Sequence, residues 1–190
     1  MHSRRALAAL LFASTLLVAS CGDDSPATDT ADDAAKPSAS APAAAKNFAD
    51  CSAIPAADMA PALGEGTATS EVPPASTSCT YKLDDPRLPS VSIEQFTISD
   101  FADGWNGAKA KIGSTVVGDM DGTPAAAPGI GDDAEIVTDS TTGSTLPNAI
   151  GLVKIGDTII RASVLDASGL TADQITDVTA DILRVVADHA

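Results

Sequence analysis

The sequence predicts an α+β domain: an antiparallel β-sheet with helices packed on it. Three observations carry this expectation. NAIGLVKIGDTIIRASVL sets two apolar, β-branched runs on either side of Gly156-Asp157, a two-residue hairpin signal. TADQ, opening at Thr171, joins a capping box to a stripe of helical period. The runs 77–83 and 90–96 alternate like strands, with the turn-rich LDDPRLP near their junction.

Apolar periodicity starts near Phe48, so residues 47–190 are expected to form one domain with a single core. IPAADMAPALG (54–64) reads as a short helix, with Pro55 in its first turn and Gly64 closing it in a left-handed conformation. Pro61 should shorten or kink it. After the two strands, SDFADGWNGAKAKIG (99–113) predicts a helix capped by Ser or Asp. Phe101, Trp105, Ala108 and Ile112 share one face, while Gly104 and Gly107 weaken it. In 113–133, TVV suggests a short edge strand, and GDMDGTPAAAPGIGDD reads as a long loop. AEIVTD is a strand, followed by a Ser/Thr/Gly loop.

In the hairpin, Val153 should face Ile160 and Gly151 should face Ala162 on one side, with Ile150, Leu152 and Ile159 on the other. Both faces are apolar, so the hairpin belongs at the centre of the sheet, covered on both sides. The last helix should run to about residue 188 with Ile175, Val178, Ile182, Val185 and Val186 as its buried stripe.

The N-terminus carries an address. His2, Arg4 and Arg5 precede an apolar run over 6–20, the pattern of a signal peptide, which is left out of fold reasoning. Val18-Ala19-Ser20-Cys21 resembles a bacterial lipobox, with Cys21 as the lipidated residue. Several acyl chains on that sulfur, at about 0.8 kcal/mol per buried methylene, would anchor the protein to a membrane without spanning it. Ser3-Arg4-Arg5-Ala6-Leu7 also resembles a twin-arginine export signal, although two arginines equally make an ordinary basic n-region. Residues 22–46 contain no aromatic residue and no Val, Ile or Leu, so they are expected to be a disordered tether. Extended, it would reach roughly 75 Å, and as a coil about 25–30 Å.

Export to an oxidising compartment makes the remaining cysteines, Cys51 and Cys79, a disulfide by default. It would pin the first helix to the first strand and stabilise the fold by about 3.5 kcal/mol in the chain-entropy picture. The full chain holds 26 Asp and Glu against 11 Lys and Arg, a net charge of −15. That balance argues against nucleic acid as a partner.

Catalytic constellations are sparse. Only His2 and His189 are histidines, and a triad through His189 would depend on a frayed terminus. Zinc chemistry lacks ligands, and sugar hydrolysis lacks aromatic platforms. Asp119-Met120-Asp121-Gly122 spaces two carboxylates as calcium loops do. The EF-hand pattern fails, however, because Ile130 occupies the position of the closing Glu. No cofactor is expected. Trp105 reads as core beside Phe101, or as the lining of an apolar pocket between helix and sheet.

The lipobox, the acidic Ala/Pro tether, FADCSAIPAADMAPALG with CTYKL, PGIGDDAEI, VKIGDTIIRASV and the LTADQ helix together resemble actinobacterial lipoproteins of the domain-of-unknown-function 3558 type. The resemblance implies a high-GC Gram-positive or mycobacterial source and a sandwich similar to Mog1/PsbP-like domains. It carries over no catalytic residue. The expected function is a non-enzymatic, lipid-anchored envelope lipoprotein on the extracytoplasmic face. Its domain would be an interaction or accessory module for an unknown envelope protein, or else a carrier of an apolar or lipid-like molecule. Trp105, Asp119 and Asp121 are the candidate contact residues, with the 113–133 loop as the candidate surface.

Overall fold

In strand Ser78–Leu83, Cys79, Tyr81 and Leu83 point one way and are buried, while Thr80 and Lys82 point the other. This alternation, repeated from strand to strand, builds the sheet. The structure is a computed structural model and describes residues 46–115, 118–139, 148–166 and 169–190. The expected signal peptide, Cys21, the tether up to residue 45 and the Ser/Thr/Gly loop at 140–147 lie outside the described residues, as do Val116 and Val117 of TVV.

The strands are β1 (Ala68–Glu71), β2 (Ser78–Leu83), β3 (Ser90–Thr97), β4 (Ser114–Thr115), β5 (Gly118–Asp119), β6 (Ala125–Ala126), β7 (Asp133–Thr138), β8 (Ala149–Ile155) and β9 (Thr158–Leu165). The helices are α1 (Ala56–Leu63), α2 (Gly104–Lys109) and α3 (Ala172–Asp188), with 3-10 turns at Phe48–Asp50 and Ile98–Asp100. Seven strands form one antiparallel sheet in the order β1-β2-β3-β9-β8-β7-β6, and β4 and β5 make a separate small ribbon. The fold is α+β, as expected.

The β8–β9 hairpin has the predicted register, Val153 opposite Ile160 and Gly151 opposite Ala162. Gly156 sits at φ 59° in the first central position, the pattern of a type II′ turn. The hairpin lies inside the sheet, and its two faces enter different cores. Val153, Ile160 and Ala162 join the main core with Met59, Leu63, Tyr81, Ile93, Ile182, Leu183 and Val186, beneath α1 and α3. Ile150, Leu152 and Ile159 join a second core with Ala108, Ile112, Met120 and Val137, on the side of α2.

The capping box of α3 is present: Thr171 Oγ1 accepts from the Gln174 amide at 3.3 Å, and Gln174 Oε1 accepts from the Thr171 amide at 2.9 Å. Its buried stripe differs from the expected one. Thr179 and Leu183 are fully buried, whereas Val178 and Val185 are only half-buried. The cause is Gly151, where an added Cβ would come within 2.8 Å of Leu183 and 2.9 Å of Thr179. The bare backbone of β8 lets α3 approach on that side. The buried Thr179 hydroxyl donates to the Ile175 carbonyl at 2.7 Å and so is satisfied within the helix.

Other expectations need correction. Pro55 is the residue before α1, not part of its first turn, and Gly64 closes the helix at φ 135°, outside the left-handed helical well. Pro61 lies inside the helix, which ends two residues later. The helix expected over 99–113 is a 3-10 turn followed by six residues of α2; the capping box belongs to that turn, between Thr97 and Asp100. β1 has no apolar alternation to announce it, because it is an exposed edge strand. The 113–133 segment is no open loop: β6 adds to the sheet edge, and Met120 and Ile130 are buried.

Candidate functional site

α2 is short and covers only part of its sheet face, and this leaves the candidate site. Toward β1–β3 that face is polar, with Thr80, Lys82, Ser90, Ser92 and Ser163 outside the core clusters. Beneath α2 it turns apolar. A cleft of about 230 Å³ opens between them, lined by Phe96 of β3, Leu152 of β8, Ala108 of α2 and by Phe101, Ile112, Lys111, Ser114 and Arg161. Phe96 and Phe101 meet edge to face at 5.7 Å between centroids, which fixes one wall.

Arg161 is the polar element of the cleft. Its Nη2 donates to the Ser114 carbonyl at 3.0 Å, and its Nη1 lies 3.7 Å from the Glu94 carboxylate. Its Nε is buried and has no acceptor among the described residues. An unsatisfied buried donor of this kind costs about 1–3 kcal/mol. Lys111 lines the same cleft and is exposed. Sequence reasoning missed Arg161, although the signal was there: a single charge within TIIRASVL, on the face of the strand that also carries Ile159.

Trp105 takes the first of its expected places: half-buried, it packs with Phe101 against the second core. Phe101 also meets Phe96 edge to face, and the other expectation fails, since Trp105 is not among the residues lining the cleft. Its indole Nε1 donates to Asp133 Oδ2 at 2.6 Å, and Lys109 Nζ lies 5.7 Å from its ring centroid. Lys109 also lies 3.8 Å from Asp133 and 3.9 Å from Glu135. Trp105 therefore clamps α2 to β7.

Asp119 sits exposed at the end of β5, and Asp121 is exposed just beyond. No group of three His, Cys, Asp or Glu side chains is placed to hold a metal among the described residues. Gly122 has a packing reason: a Cβ there would stand 2.1 Å from the Thr138 carbonyl oxygen. Asp132 accepts from the Gly156 amide at 2.7 Å and lies 3.7 Å from Lys154, so it fastens the hairpin turn.

Cys51 and Cys79 are bonded, with 5.1 Å between their Cα atoms. Cys51 precedes α1, closing the 3-10 turn at φ 65°, so the bridge ties that turn to β2 and not the first helix to the first strand. Tyr81, beside it in β2, is fully buried and donates to the Ile54 carbonyl at 3.0 Å. Burial, helped by the negative charge of Asp50, pushes its hydroxyl up to about 12. His189 caps the end of α3 with Nε2 3.3 Å from Asp58.

The fold is an α+β sheet domain with a small surface cleft beside α2. Comparison with protein-family models, with curated proteins and with solved structures finds no match for this chain.

Proposed function

We propose that this chain is a lipid-anchored cell-envelope lipoprotein, held at the membrane through Cys21, whose domain is a non-enzymatic interaction or accessory module. The N-terminal pattern and the resemblance to domain-of-unknown-function 3558 lipoproteins support the anchoring, and kinship with Mog1/PsbP-like sandwiches is part of the same proposal. The size of the cleft carries the interaction reading. Pockets for drug-sized molecules run to about 300–1,000 Å³, while a cavity of roughly 150 Å³ accepts a benzene ring. At about 230 Å³ the cleft matches one ring-sized group. That is the dimension of a single anchoring side chain from a partner. The apolar lining favours, as a second reading, carriage of a small apolar molecule.

Native mass spectrometry of the protein taken from its own host's membranes in mild detergent tests both parts. The expected mass is the chain from Cys21 onward, with one disulfide and a covalent acylglycerol lipid, and nothing more. A chain without lipid overturns the anchoring. A reproducible non-covalent mass, lost on organic extraction, overturns the interaction reading in favour of carriage.

A further inference from the structure

We infer that the cleft under α2 receives one aromatic or large aliphatic side chain of a partner protein, with a single carboxylate next to it on Arg161 and Lys111. This rests on the interaction reading and names the partner's chemistry.

The apolar half of the recognition comes from Phe96, Phe101, Ala108 and Leu152, which surround a volume suited to one side chain. Aromatic anchors seated in such pockets dominate protein interfaces. The charged half comes from two cations at the same cleft. Lys109, two residues before Lys111, is already matched by Asp133 and Glu135. Lys111 makes no ion pair among the described residues. Among the described residues, Arg161 has Glu94 as its one ion-pair partner, at 3.7 Å, donates to the Ser114 carbonyl through Nη2, and keeps a buried Nε without an acceptor. A carboxylate arriving there would give both cations a charge-assisted partner.

The rest of the partner's segment is constrained by the chain's net charge of −15, which repels a run of acids. Its flanks are therefore neutral or basic. The chain's own residues 22–46 cannot supply the anchor, since they contain no aromatic residue and no Val, Ile or Leu.

The test uses the full chain and three capped tetrapeptides, with Phe-Glu, Phe-Gln or Ala-Glu at the centre, and hexanoate as the free small acid. Methyl resonances of Ala108, Ile112 and Leu152 report occupancy. The Phe-Glu peptide should shift them and bind about tenfold tighter than Phe-Gln, a difference of one charge-assisted contact, and Ala-Glu should not bind. Ala108→Leu, which fills the cleft, should abolish binding. Arg161→Gln should erase the preference for Glu over Gln, and the exposed Lys111→Ala should reduce it even if the Arg161 variant fails to fold.

Silence from all three peptides overturns the inference. So does a Phe-Glu response unchanged by Ala108→Leu, which leaves the interaction reading standing while removing the cleft from it. Hexanoate binding more tightly than the peptide overturns both. Concentration-dependent dimerisation that broadens the cleft methyls without peptide assigns the site to a second copy, with the exposed Val72 or Leu165 as the inserted side chain.

Discussion

Tyr81 shows how much one side chain can report. It is the only tyrosine in the chain, and it sits fully buried with its hydroxyl on the Ile54 carbonyl. An exposed tyrosine ionises near 10, and burial together with Asp50 pushes this one to about 12. The folded value is the higher one, so the unfolded chain releases this proton first. The stability that Tyr81 contributes is complete below pH 10 and is lost as pH rises through about 12. Ultraviolet titration should give a single tyrosinate step near 12 in the folded protein and near 10 in denaturant. A folded-state step near 10 would mean the ring is not enclosed. Arg161 makes the opposite case. Its polar partners among the described residues are Ser114, 47 residues earlier in the chain, and Glu94 on the neighbouring strand. Nothing within the local TIIRASVL pattern specifies either neighbour.

At the scale of elements, α3 and the β8–β9 hairpin are each fixed by signals a few residues apart. Thr171→Ala should therefore cost about 1 kcal/mol in urea unfolding, because it removes the acceptor for the Gln174 amide and frees the Gln174 side chain. An unchanged midpoint would show that packing alone holds the first turn. The hairpin's register was readable because one slip would exchange Val153 and Ile160 for Leu152 and Ile159 between two different cores. The elements that could not be read have no such internal pattern. β1 is polar and exposed, and β6 is two alanines. They exist because a neighbouring strand or core offers them partners. The helical spacing of Trp105 with Phe101 announced the face of α2 that meets the second core, but not the hydrogen bond of Trp105 to Asp133, 28 residues away.

Across the whole molecule, the sheet is held from its two faces unequally. α1 and α3 cover one face over the main core, while α2 covers only part of the other. The disulfide closes a separation of 28 residues and fastens the 3-10 turn before α1 to β2. Replacing Cys51 and Cys79 together by Ala should lower the unfolding free energy by about 3.5 kcal/mol in the chain-entropy picture, read from denaturant midpoints. The midpoint should fall and the slope should rise, because the freed denatured chain exposes more surface. An effect well under 1 kcal/mol would show that the denatured chain keeps this loop closed without the bond.

The sequence by itself determined the α+β class, the central hairpin and its register, the last helix with its cap, and the pairing of the two domain cysteines. Each rests on a short-range pattern or on there being only one possible partner. Tertiary structure alone decided the short reach of α2, the edge strands, the hydrogen bond of Trp105 to Asp133 and the cleft around Arg161. Those features arise where side chains distant in sequence meet across neighbouring strands, and periodicity along one strand cannot say which strand will lie beside it.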